Sequence, residues 1–231
     1  MTGSGPTSAR AAALAACLRE RREIDGPGFY VPPGGRETLI ARLRALGGGP
    51  APSGAAAGMP DVERLRRTGS IEEIEALGEL ATVRAVAEGC LRCRLHESRR
   101  TVVFADGSPE ARVMCVGEAP GRNEDETGVP FVGRAGQLLD RLLTSVGLPR
   151  RDVYICNVLK CRPPQNRNPR EDEIETCSPF LRRQVALVGP EVIIAFGTFA
   201  ARTLLGVGGS LGSLRGRTHL YEGVPVVATY H

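Results

Sequence analysis

The chain of 231 residues has no run of about 18 apolar residues, so no membrane-crossing helix is expected. Its first residues mix Arg and Glu around short apolar stretches, so no secretory signal peptide is expected either. Internal repeats are missing. Lysine is nearly missing: Lys160 is the single one among 30 basic residues. Strong charge of one sign is also missing. Residues 1–80 carry ten basic and ten acidic side chains, and residues 81–231 carry 20 and 16, so the whole net +4 sits in the second span. That excess is too mild to identify a nucleic-acid partner by itself. What is present is ordinary for a globular protein: 42% hydrophobic and 24% charged residues exclude a mainly disordered chain. The length allows one domain plus an extension, or two small domains.

Seven cysteines are an odd number, and no export signal accompanies them. That argues against a disulfide framework and for a metal site in a cytoplasmic protein. Cys90-x-x-Cys93 is a common ligand pair. Cys115 and Cys156 lie in apolar runs and read as small core residues. Cys17 has no evident role.

Residues 9–23 and 36–46 have helical composition and spacing, with a Gly/Pro-rich break between them and a Gly/Pro/Ala-rich linker over 47–60. Residues 1–79 therefore read as an N-terminal extension and 80–231 as the main domain. Residues 70–89 read as one helix ending before Cys90. Four Val- and Ile-rich runs come after it, at 112–117, 153–158, 192–197 and 224–230, apolar on both faces as buried parallel strands are. Between them, Ala135, Leu138, Leu139, Leu142, Leu143 and Val146 share one helical face. Asn168, Pro169 and the acidic triplet Glu171–Glu173 mark the start of another helix, and 198–205 give a shorter one. The alternation predicts a three-layer α/β/α sandwich with a mainly parallel four-stranded sheet.

Ligands of such sheets bind beyond the carboxyl ends of the strands. Those ends carry Glu118-Ala119-Pro120-Gly121, Asn157, Gly197-Thr198 and His231. The segment 117–139 is broken by five glycines and two prolines, which lets backbone approach a ligand closely. A connection this long inside a compact domain is usually functional. It contains neither GxGxxG nor GxxxxGK[ST], so a nucleotide cofactor is not indicated.

The loop GEAPG…GVPFVGRAG, then NVLKCRPPQNRNP, then the final TYH resemble the type 4 (iron–sulfur) uracil-DNA glycosylases. The resemblance runs from about residue 80 onward and says nothing about residues 1–79. It implies a DNA-repair enzyme that hydrolyses the bond between uracil and deoxyribose after the base leaves the stack. The partner would be uracil-containing DNA, single- or double-stranded, met by a monomer in the cytoplasm at the nucleoid. As implied catalytic residues, His231 would donate toward the uracil oxygen, Glu118 would orient water or the loop, and Asn166 would assist near the scissile bond. For substrate binding, Gly117 and Ala119 would line the pocket and Glu124 would close it against a thymine methyl. Phe131 would stack on the base, and Asn157 would read the O4/N3–H edge. Cys90, Cys93, Cys161 and Cys177 would ligate a [4Fe–4S] cluster. Spacing alone fits zinc equally well. Arg134, Arg162 and Arg167 would contact phosphates.

Two departures bear on mechanism. Other uracil glycosylase families place an Asp where this chain has Ala119, so water must be activated by Glu118, a backbone carbonyl or the substrate's phosphates. Relatives also continue past the final His with a loop and a helix, so the domain reads as truncated. That leaves a second expectation, a non-cleaving sensor of uracil in DNA. A zinc-stabilised or electron-carrying protein of unrelated role is a third.

Overall fold

The computed structural model describes residues 60–231. The helices expected over 9–23 and 36–46, nearly all of the linker, and Cys17 lie outside the described residues.

The described chain begins with α1 (Val62–Thr68), α2 (Ile71–Glu75) and α3 (Leu80–Glu88). Asp61 caps α1 by accepting from the Arg64 N–H at 3.0 Å. Ser70 and Glu73 form a reciprocal capping box at the start of α2. Residues 70–89 are thus two helices where the sequence predicted one. The break falls at Leu77-Gly78, where Leu77 is buried in the core and its carbonyl accepts from Arg183. A glycine lowers helix propensity enough for that tertiary contact to win.

Then come β1 (Asp106–Gly107), β2 (Val113–Gly117), α4 (Arg122–Thr127), α5 (Arg134–Ser145) and β3 (Tyr154–Asn157). They are followed by α6 (Glu171–Val188), β4 (Val192–Phe196), α7 (Gly197–Leu205), α8 (Leu211–Leu214), β5 (Thr218–Tyr221) and β6 (Val224–Thr229). The sheet order is β1-β3-β2-β4-β6-β5. The inner four strands are parallel, and β1 and β5 pair antiparallel at the two edges. The four predicted strands are these inner four. The two edge strands correct the count to six. One is two residues long and the other alternates in exposure, so neither carries the apolar run that marks a buried strand.

Alternation along the strands divides the core. Val113, Cys115, Ile155 and Ile194 pack with Leu139 and Leu143 of α5 on one face. Met114, Val116, Cys156, Ile193 and Ala195 face the other way into a larger core built with α3, α6 and α7. Leu65, Ile74 and Leu77 belong to that larger core, so the described part of the expected extension packs against the domain. No helix among the described residues is long and apolar enough to cross a membrane.

The apolar face predicted for α5 is wider than the face it buries. Leu139 and Leu143 are buried, whereas Leu138 and Leu142 remain 47% and 39% exposed. Leu139→Ala is therefore expected to cost about 2–4 kcal/mol in urea unfolding, and Leu138→Ala less than about 0.5 kcal/mol. Equal losses would contradict this packing.

Candidate active site

Strand β2 ends at Gly117, which lies opposite Asn157 at the end of β3. The pairing continues past the strands: the Val158 and Leu159 N–H groups donate to the Gly117 and Glu118 carbonyls at 2.9 and 3.0 Å. The chain then turns through Ala119-Pro120-Gly121 into α4. Glu124, on the first turn of α4, gathers the loop on both sides of that helix. Its Oε1 accepts from the Val132 and Gly133 N–H groups at 2.9 and 2.8 Å, and its Oε2 accepts from the Gly121 N–H at 3.1 Å. Buried Asp125 ties the same helix to residues 100 and 101 through their backbone N–H groups, at 2.9 and 3.3 Å.

Phe131 has φ of 53°, a left-handed backbone that costs a non-glycine residue about 1–3 kcal/mol. Two features hold it there. Gly136 has no side chain, and a Cβ at that position would lie 1.8 Å from the Phe131 carbonyl oxygen. Arg150 donates to the Pro130 carbonyl and, at 3.0 Å, to the Phe131 carbonyl. Its guanidinium is itself fixed by Asp106 at 2.5 Å and Asp140 at 3.0 Å. The ring meets Phe196 edge-on, with centroids 5.7 Å apart, and lies 6.2 Å from the His231 ring.

These elements enclose a cavity of about 330 Å³ beyond the carboxyl ends of the strands. Glu118, Ala119, Glu124, Phe131, Asn157, Asn166 and His231 all line it. Gly117 is the remaining residue of the expected set. It lies beneath, because a Cβ there would fall 2.4 Å from Asn157 Oδ1 and 2.5 Å from Phe131 Cζ. Asn157 is 2% exposed, and among the described residues its side-chain amide makes no hydrogen bond. The His231 ring and the Glu118 carboxylate have none either, among the described residues. Burial raises the Glu118 carboxyl above its ordinary value of 4.5. Asn166 follows Gln165, and both residues have φ near 55°. The Asn166 Oδ1 accepts from Arg162 at 2.7 Å.

The three expected phosphate contacts divide. Arg134 lines the cavity and is exposed. Arg162 is bonded to Asn166. Arg167 also lines the cavity, and its guanidinium forms a bidentate pair with buried Glu173 at 2.6 and 2.9 Å. Sequence reasoning missed Arg150, which sits outside the motif, and Asp125, which sits inside the motif loop but gives no periodic or spacing signal. It noted Lys160 only as a rarity of composition.

A second cavity brings together Cys90, Cys93, Cys161 and Cys177, with Arg99 and Lys160 beside them. Arg99 Nη1 donates to the Cys90 carbonyl at 2.7 Å and to Cys161 Sγ at 3.2 Å, and the Lys160 N–H donates to Cys177 Sγ at 3.3 Å. Arg92, between the first two cysteines, has a buried Nη1 without a partner. Burial pushes all four thiols up, Cys161 to about 11. Thiolates here therefore need nearby positive charge. Among the described residues, no three His, Cys, Asp or Glu side chains group tightly enough to hold a single metal ion. Four cysteines lining one small cavity, with the Arg99 and Lys160 side chains beside them, are a thiolate donor set that could hold a metal centre.

The raised pKa of Glu118 gives a pH prediction with a definite sign. The neutral acid is the better accommodated form, so stability is lost as pH rises through the folded-state pKa. Glu118→Gln is expected to raise the urea midpoint at pH 7 and to leave it unchanged below about pH 4, where the wild-type group is already protonated. A midpoint raised equally at both pH values would rule out this account.

A family model described as the uracil DNA glycosylase superfamily matches residues 104–231. The type-4 uracil-DNA glycosylase of Pyrobaculum aerophilum is 42% identical over 163 residues, which cover 66% of this chain and 82% of that protein. The type-4 uracil-DNA glycosylase of Thermotoga maritima is 43% identical over 159 residues, covering 68% and 82%. That of Archaeoglobus fulgidus is 43% identical over 150 residues, covering 62% and 75%. The matched lengths, together with a cavity lined by the motif residues, lead to one conclusion: the chain belongs to the uracil DNA glycosylase superfamily, among its type-4 members.

Proposed function

We propose that this protein is a DNA-repair uracil-DNA glycosylase: it hydrolyses the N-glycosidic bond of flipped-out uracil, releasing the base and leaving an abasic site. The observation that carries the reading is the single cavity shared by an aromatic ring, an unpaired buried amide and a histidine. A base extruded from the stack needs a face to lie on, an edge to match and a donor for the charge it acquires. Phe131 supplies the face. Asn157 offers a donor and an acceptor together, which complements the O4 and N3–H of uracil and mismatches cytosine. His231 is the donor for the oxygen that gains negative charge as the bond breaks.

Of the two carboxylates lining the cavity, Glu124 is saturated by three backbone N–H groups. Glu118 is therefore the group available to orient water, since Ala119 offers none. Its raised pKa makes it a better proton acceptor than an ordinary carboxylate. Glu124 acts through the loop, by holding the backbone on both sides of Phe131. In the same reading, exposed Arg134 contacts substrate phosphate. Cys90, Cys93, Cys161 and Cys177 hold a [4Fe–4S] cluster. When bound, that group supplies a rigid link among three chain segments and a centre capable of one-electron exchange. The cysteines' own work is to pin the 90–93 turn to the segment after β3 and to α6.

The test is incubation with a uracil-containing oligonucleotide followed by alkali. Strand scission is the expected result, and a shifted but intact band would favour a non-cleaving sensor. Asn157→Asp replaces the donor with a second acceptor, so kcat/KM for uracil should fall on the order of 100-fold or more. Unchanged uracil selectivity would remove this side chain from base recognition. His231→Ala should slow single-turnover cleavage by on the order of 100-fold, and a wild-type rate would take the histidine out of the reaction.

A further inference from the structure

The chain's only lysine is 1% exposed and lies between the two cavities. Its Nζ donates to the Asn157 carbonyl at 2.6 Å and to Gln184 Oε1 at 2.5 Å. Both acceptors are neutral, and among the described residues Lys160 forms no ion pair. Gln184 is held in turn: its Nε2 donates to the Tyr154 hydroxyl at 2.9 Å and to the Phe104 carbonyl at 3.2 Å. The ammonium is therefore fixed in place with hydrogen bonds but without a carboxylate. A buried charge in that condition is costly unless an anion lies close by.

A source of negative charge adjoins it: the cysteine cavity, which Lys160 lines. Cys161 is the next residue, and the Lys160 N–H already donates to Cys177 Sγ. A four-iron cluster carrying four thiolates is anionic overall. Arg99 also reaches this cavity, yet among the described residues its guanidinium binds only the Cys90 carbonyl and Cys161 Sγ. Among the described residues, Lys160 joins the cavity to the strand end that carries the Asn157 amide.

We propose that Lys160 is the counter-cation of the cysteine-held centre and, through its hydrogen bond to the Asn157 carbonyl, the positioning residue for the Asn157 amide. The proposal rests on the cluster reading above. Charge at the cysteine cavity holds the ammonium, the ammonium holds the end of β3, and the end of β3 sets where the amide meets the base. A lysine is suited to this double duty because its compact head donates several bonds in different directions.

Two variants separate the charge from the strut. Lys160→Met removes both. The cluster midpoint potential should become more negative, because a nearby positive charge favours the reduced state. The preference in kcat/KM for uracil over cytosine should fall at least tenfold. Gln184→Glu keeps the bond to Nζ but sets a carboxylate against it. The potential should again move negative, while uracil preference stays near wild type. If Lys160→Met does not fold, the potential of Gln184→Glu decides the charge assignment. Wild-type potential in the variants, or wild-type base preference in Lys160→Met, overturns the proposal. An iron-free wild-type protein overturns it together with the cluster reading and leaves the glycosylase reading to the alkali assay. An iron-bearing wild type with an unmoved potential overturns this proposal alone.

Discussion

The missing side chain at the end of β2 is the constraint around which the site is arranged. Parallel pairing sets residue 117 against residue 157, and any Cβ at 117 would collide with both the Asn157 amide and the Phe131 ring. Glycine lets a polar edge and an aromatic face occupy one small volume. The remaining devices hold those two groups in the space so created. Arg150 and Gly136 keep Phe131 in a backbone conformation it would not choose alone, and Glu124 gathers the amides on either side of it. Such strain persists only where the surroundings over-determine it.

The strand pleat separates the two kinds of chemistry. Position 157 continues the face of Ile155, so its side chain lies on the α5 side with Phe131. The four cysteines belong to the larger core on the opposite face. The two cavities are lined by different residues, and the hydrogen bond from Lys160 Nζ to the Asn157 carbonyl lies between them. A centre held by those cysteines would be set apart from the Phe131–Asn157 cavity and suited to holding chain segments together.

Where the sequence was legible, the signal was strong and local. The four inner strands show as Val- and Ile-rich runs because both of their faces are buried, and their ends indicated where to look for Asn157 and His231. Composition could not reveal β1, which is two residues long, or α4, which is polar along its length and held by Glu124 and Asp125. Leu138 and Leu142 satisfied the helical period yet stay at the surface, because periodicity reports a face and not whether a neighbour covers it. The motif marks Glu124 as a pocket residue, but its three bonds to backbone N–H groups depend on a loop fold that no sequence pattern reports. Arg150 had no sequence signal, since its partners lie 10, 19, 20 and 44 residues away.

A chain with one lysine offers one cleavage point to a lysine-specific endoprotease, and here that peptide bond follows a side chain sealed in the interior. Native molecules should therefore resist such an enzyme, and a cut should register only excursions that expose the end of β3. Each cut would divide the polypeptide into residues 1–160 and 161–231, with two of the four clustered thiols on each fragment. Digestion thus becomes a one-site clock for opening of the region where the two cavities adjoin.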